Sequence, residues 1–431
     1  MSKPARPEVG REEYLSTSDG IGGKLRKVAE DFEVVEFIET GTKPHWNWTR
    51  ENDGGRHSIV KITSKNWDTH VLVKELSKRL KISQKAIGFA GTKDKRAVST
   101  QYFSLMAPKT KIEELEISNI NVEFIHNTTK PVRLGNLVGN KFRIKITDSD
   151  KNKNKIDEIL EQLDGGFPNY FGIQRFGAAR PITHIVGEKI VRGDYQGAVW
   201  DYLTTEGGDA VGSEARKQLK ECKNMEDALE KFPYNLLFER QIIGHLCRNK
   251  DDYIGALREL PEGLLKMLVH SYQSLIFNRA LDQRIRQGME IGKPLIGDYI
   301  IPADNYGGPD QRKTIEVTER NQTKLEKRCK EGKAWVAGML PGTKSEYTKG
   351  IQGDIEREVM NEENIDFSDF AIDEISELSS VGMCRPLRQC LNQIKVEYDD
   401  DDPVFSFWLN KGTYATSFLR EIMKCEDVKA Y

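Results

Sequence analysis

One stretch of the chain concentrates groups that could do chemistry. Residues 88–101, GFAGTKDKRAVSTQ, set a single carboxylate, Asp94, between Lys93, Lys95 and Arg96. An ionised carboxylate can act as a nucleophile or as a general base when it stands close to a reacting atom. In a closed pocket it keeps its charge only when a cation offsets its desolvation. Three candidate cations, Lys24, Arg26 and Lys27, precede the segment EDFEVVEFIE. The same residue types also describe a solvated turn and a solvated cationic face, so composition alone leaves both readings open.

Other chemistries find less support. Six cysteines are scattered with no C-x-x-C pair, and seven histidines form no H-E-x-x-H or comparable constellation. The acidic run of Glu397, Asp399, Asp400, Asp401 and Asp402 would be the ligand source for a metal-dependent nuclease or phosphotransferase. Consecutive acids point in different directions and rarely form a compact metal site, so a solvated turn is the better reading. Zinc chemistry and histidine-centred catalysis lose support.

The elements that must position Asp94 follow from periodicity. In EDFEVVEFIE, Phe32, Val34 and Glu36 alternate against Glu33 and Val35, which predicts a strand. The stretch around Asp94 reads as two short strands joined by a turn. Asp68 caps a helix that places Leu72, Val73, Leu76 and Leu80 on one face. Phe142, Ile144 and Ile146 share a strand face, and a helix from about Asn152 to Leu163 stops at Gly165, Gly166 and Pro168. Residues 264–276 carry Leu264, Leu268, Tyr272, Leu275 and Ile276 on a broad apolar stripe, the mark of a buried helix. The segments DNYGGPDQRK and LPGTKSEYTKGIQGD read as exposed loops. Toward the end, LNQIKVEY and VFSFWL are strands around the acidic turn, and GTYATSFLREIMK is a helix.

At 431 residues the chain exceeds one hydrophobic core and suggests roughly two domains. Strands at both ends with a helical middle suggest that one domain is interrupted by another. Hydrophobic residues make up 38% and charged residues 31%, and no apolar run approaches the ~18 residues of a membrane helix. The polar start of the chain lacks the apolar core of a secretory signal, so a cytoplasmic location is expected. A net charge of -2 argues against blanket affinity for nucleic acid but leaves room for local basic patches.

Six segments, in order, resemble the TruD family of tRNA pseudouridine synthases, in its archaeal form. KLRKVAEDFEVVE is similar to the family's basic-x-x-(P)EDFxVxE element, AGTKDKRAVSTQ to its catalytic-aspartate loop, and LGNLVGNKF to its GNxF element. NYFGIQRFG resembles the segment that opens its insertion, and SYQSLIFNRAL and KGTYATSFLREIMK match as well. Two departures stand in the first element: Ala29 replaces the usual Pro, and Arg26 stands where many relatives carry Lys.

The resemblance implies an α+β fold: a pseudouridine synthase catalytic domain with a mixed, mainly antiparallel sheet, built from residues 1–166 and 388–431. An inserted α+β TRUD domain would occupy residues 167–387. It implies an isomerase that turns uridine, at position 13 of tRNA, into pseudouridine, with RNA in a cleft between the domains. Asp94 would be the essential carboxylate and Arg26 its ion-pair partner, a substitution that retains charge and permits two hydrogen bonds. Asn140 would help position Asp94 and Phe142 would stack on the target base. Phe32, Lys93, Lys95, Tyr170, Phe171 and Arg175 would contact RNA, with Glu30 beside them. The implied partner is tRNA, with no cofactor or metal expected, no membrane and no obligate protein partner.

Overall fold

The computed structural model describes residues 9–38, 54–177, 179–427 and 431; parts of the expected catalytic segments, at 1–8, 39–53 and 428–430, lie outside them. The chain divides into two compact units. One, the sheet unit, holds Leu15–Phe167, Ala303–Gly308 and Gln389–Tyr431; the other, the helical unit, holds residues 9–14, Pro168–Pro302 and Pro309–Arg388.

The sheet unit is built on eight strands: β1 (Phe32–Ile38), β2 (His57–Lys65), β3 (Ile87–Phe89), β4 (Val98–Leu105), β5 (Ile120–Thr128), β6 (Leu137–Lys145), β7 (Asn392–Asp399) and β8 (Asp402–Asn410). They lie in the order β7-β8-β6-β1-β4-β2-β5, with β3 on β4. The β1–β4 pair is parallel and the other pairs are antiparallel, so the sheet is mixed and mainly antiparallel, as expected. Strand β4 organises the region of Asp94. Its whole length pairs with β2 on one edge. On the other edge Val98–Thr100 face β1, and Phe103–Leu105 take β3. The 90–97 loop, which carries Asp94, joins β3 to β4 itself.

Helices α1 (Thr69–Leu80), α2 (Lys153–Leu163) and α3 (Ala415–Met423) follow the predicted positions. Asp68 caps α1, its carboxylate accepting from His70 N and Val71 N. Leu72, Val73, Leu76 and Leu80 pack on Val60, Ile62, Phe103 and Leu105. A second apolar cluster joins Phe32, Val34, Phe142, Ile144, Phe405 and Phe407 to Ile156, Ile159 and Leu163 of α2 and to Phe418, Leu419 and Ile422 of α3. Val34 pairs with both Ser99 and Phe142, so the two clusters share one face of the sheet. A polar row of Glu36, Ser99, Gln101 and Asn140 lies on that face.

The acidic turn between β7 and β8 is a solvated hairpin tip. Asp399 and Asp402 flank Lys145 at 3.1 and 3.7 Å, and Asp400 and Asp401 take the left-handed backbone of a tight turn.

The helical unit is α+β. Its long helix, Glu262–Arg286, buries Leu268, Tyr272, Leu275 and Ile276. Its four-stranded sheet orders Met383–Pro386, Ala334–Leu340, Tyr299–Pro302 and Ile315–Glu316. One expectation is corrected: GIQGD is not loop but the start of a helix, Gly350–Glu362. Two glycines mask the helical signal, and Gly353 is needed because a Cβ there would lie 1.7 Å from the Thr348 carbonyl oxygen. Among the described residues no helix is long and apolar enough to cross a membrane.

Candidate active site

Asp94 is an exposed residue on the loop between β3 and β4, and among the described residues its carboxylate meets one cation. Arg26 Nη2 donates to Asp94 Oδ2 at 3.0 Å. The two flanking lysines are engaged elsewhere, with Lys24 and Lys27 Nζ at 3.4 and 3.3 Å from the Asp148 carboxylate. Of the three candidate cations, the structure therefore brings Arg26 to Asp94.

The Arg26 side chain is only 13% exposed, against 59% for Asp94. Its guanidinium carbon stands 4.2 Å from the Phe32 ring centroid, a cation–π contact that shields one of its faces. Burial pulls the Arg26 pKa down, Asp94 opposes the fall, and Arg96 adds to it. Arg96 also fastens the Arg26 backbone, donating from Nη2 to the Arg26 carbonyl oxygen at 2.8 Å.

The floor of this region is aromatic. Phe32 meets Phe142 edge-on at 6.1 Å, and Phe142 stacks on Phe407 at 5.5 Å with an interplanar angle of 26°. Phe142 is buried, and Phe407 covers one face of its ring. Asn140 lies two residues earlier on β6, in register with Glu36 on β1 and Leu409 on β8. Among the described residues no hydrogen bond links it to Asp94, and its Oδ1 is buried without a donor.

The loop is fastened behind Asp94. Lys93 Nζ pairs with Glu36 Oε2 at 2.8 Å, with side-chain exposures of 8% and 0%. Lys93 N donates to Thr69 Oγ1 at 2.8 Å, Thr69 Oγ1 to Gln101 Oε1 at 3.1 Å, and Gln101 Nε2 to the Gly91 carbonyl at 2.8 Å. Thr69 and Gln101 are buried, so the first turn of α1 and the middle of β4 grip the loop directly.

Several residues expected on an RNA surface are interior instead. The Lys93 ammonium is taken by Glu36, and Phe32 lies buried beneath Arg26. Glu30 pairs with Lys65, while Lys95 is exposed beside Asp94. In the helical unit Tyr170 is 1% exposed and its hydroxyl donates to Asp282 Oδ1 at 2.9 Å. Phe171 is buried between Arg385, 3.9 Å from its ring centroid, and Phe277. Arg175 is half-buried and donates from Nε to Ser274 Oγ at 3.2 Å. Aromatic residues interleaved with arginine suit stacked bases, but they suit cation–π packing inside a protein equally well, and here they form a packed elbow. Conversely, sequence reasoning passed over Glu36, Thr69 and Gln101. The signal for Glu36 was a carboxylate on the inward phase of an alternating strand, between Val34 and Ile38.

A solved structure shares this architecture. The crystal structure described as that of a tRNA pseudouridine synthase D (TruD) from Methanosarcina mazei superposes with a TM-score of 0.83 at 34% identity, covering 100% of both chains. Fold and sequence together define a pseudouridine synthase, an isomerase of tRNA modification. More narrowly, the chain belongs to the TruD family: the family model, described as tRNA pseudouridine synthase D, matches residues 8–422. Two further relatives carry the name tRNA pseudouridine synthase D. The one from Methanococcoides burtonii is 36% identical over 439 residues, covering 98% of each chain. The one from Thermococcus sibiricus is 38% identical over 421 residues, covering 95% of this chain and 97% of its own.

Proposed function

We propose that this enzyme converts uridine 13 of tRNA to pseudouridine and that Asp94 is the carboxylate that does the chemistry. The reaction breaks the C1′–N1 glycosidic bond, turns the uracil and joins C1′ to C5, with the C5 proton lost and a proton gained at N1. Substrate and product are isomers, so no oxidant or energy source enters the balance. A single ionised carboxylate suffices, by attack on C1′ or by removal of the C2′ proton.

The observation that carries the reading is the 3.0 Å contact between Arg26 and Asp94, with both neighbouring lysines committed to Asp148. When a flipped nucleotide covers Asp94 and expels water, the guanidinium offsets the desolvation of the carboxylate and keeps it ionised. Phe142 is the aromatic side chain against which an unstacked uracil regains contact, worth ~1–3 kcal/mol per base, with Phe32 packed behind it. Asn140 offers a buried acceptor beside that floor. Lys95 and Arg96, exposed on the same loop, suit phosphate contacts.

The test is pseudouridine formation in an unmodified tRNA transcript, mapped by position, with binding measured in parallel. Wild-type protein is expected to modify position 13, and Asp94→Asn to bind the tRNA while forming no product. Equal product from both proteins would remove Asp94 from the mechanism, and Asp94-dependent product at another position would reassign the substrate uridine.

A further inference from the structure

Asp94 contributes little to fixing its own position. Its side chain is 59% exposed and, among the described residues, its carboxylate has one cationic partner, so burial of Asp94 cannot hold the loop to the accuracy chemistry needs. The residue before it is held far more firmly. Lys93 is fixed by its backbone N–H on Thr69 Oγ1 and by its ammonium on Glu36. Glu36 is wholly buried, and its second oxygen accepts from Tyr102 N at 3.3 Å, on β4 between the segments paired with β1 and β3. A charge at this point is costly, because Val34 and Ile38 on either side of it along β1 are core residues. A buried ion pair seldom adds stability over an apolar pair of similar volume.

We infer that Glu36 is a positioning residue for the reaction, setting the place of Asp94 through Lys93. Glu36 stands on a rigid strand, in register with Asn140. Through one ion pair it ties the sheet to the side chain of the residue next to Asp94. Displacing a reacting group by ~1 Å can cost about 100-fold in rate. The inference rests on the reading of Asp94 as the acting carboxylate.

Single-turnover rate constants with saturating enzyme separate positioning from stability, because an unfolded fraction lowers the amount of active enzyme while a misplaced carboxylate lowers the rate constant itself. Glu36→Gln, which keeps the shape and removes the charge, is expected to lower the rate constant about 100-fold with tRNA affinity within about twofold. Glu36→Asp, which retains the charge and shortens the reach, is expected to lose about tenfold. Glu36→Gln combined with Lys93→Met removes the stranded ammonium, so its melting temperature should recover while its rate constant stays low. A wild-type rate constant in Glu36→Gln or Glu36→Asp, or one that recovers with the melting temperature in the double variant, would overturn the inference. Asp94→Asn run alongside keeps the two claims apart. If Asp94→Asn turns over normally, the reading of Asp94 fails; if it is inactive while the Glu36 variants react normally, only the role of Glu36 fails.

Discussion

At Arg26 the backbone enters the left-handed region, with φ of 60°, a conformation that costs a non-glycine residue about 1–2 kcal/mol. The turn separates its side chain from those of Lys24 and Lys27, which both end on Asp148. Arg96 secures the turn from one side, and the backbone pairing of Lys24 with Thr147 secures it from the other. This geometry was not legible in the sequence, where three cations before a strand are equivalent and only the resemblance singled out Arg26. Arg26→Met is therefore expected to lower the single-turnover rate at least 100-fold, about 2.7 kcal/mol of barrier, with tRNA affinity within about threefold. Lys24→Met and Lys27→Met should stay within about twofold of wild type in the rate constant. A Lys24 or Lys27 variant with the larger loss would transfer the ion-pair role to that lysine.

The elements around the site were legible wherever one face of a strand or helix is apolar. The alternation of Phe32, Val34 and Glu36 gave β1, and the Asp68 cap with its leucine stripe gave α1. Residues that touch across elements were hidden, because Thr69 and Gln101 are ordinary polar residues until α1 and β4 bring them together over Gly91 and Lys93. The interior burial of Tyr170 and Phe171 was hidden for the same reason, since their partners Asp282 and Arg385 lie 112 and 214 residues away. The polar relay gives a prediction for α1. Thr69→Val keeps the volume but removes the hydroxyl, leaving the Lys93 N–H and Gln101 Oε1 without that partner. An unsatisfied buried group costs about 1–3 kcal/mol, so the melting temperature should fall, and hydrogen exchange at the Lys93 amide should quicken relative to the centre of β4. Unchanged exchange at Lys93 would show that the loop is held without Thr69.

For the molecule as a whole, the interruption of a strand-rich unit by a helical one was legible in composition, because both ends of the chain read as strands and the middle as helix. The placement of residues 9–14 in the helical unit was not, as it depends on Asp282 accepting from the backbone N–H groups of Glu12 and Glu13, each at 2.8 Å. The two units also carry buried groups whose titration acts on stability in opposite directions. Burial raises the carboxyl pKa of Glu356 in the helical unit and of Glu421 in the sheet unit, so the native state takes up those protons more readily and both favour folding as the pH falls toward the ordinary carboxylate range. His184 in the helical unit works the other way. It is 7% exposed, its ring meets Phe176 edge-on at 5.3 Å, and burial lowers its pKa from 6.5 to about 4. Above pH 6.5 the imidazole is neutral in both states. Between 6.5 and about 4 the unfolded chain binds a proton that the native protein refuses, so stability falls with falling pH. From pH 7.5 to pH 5 the loss is about 2 kcal/mol. A His184→Leu variant removes this contribution and keeps those of Glu356 and Glu421. Its unfolding free energy should fall less than that of wild type over the same interval, by about 2 kcal/mol, in denaturant melts taken at each pH. Parallel pH dependences in the two proteins would mean that His184 takes up its proton in the native state as readily as in the unfolded chain.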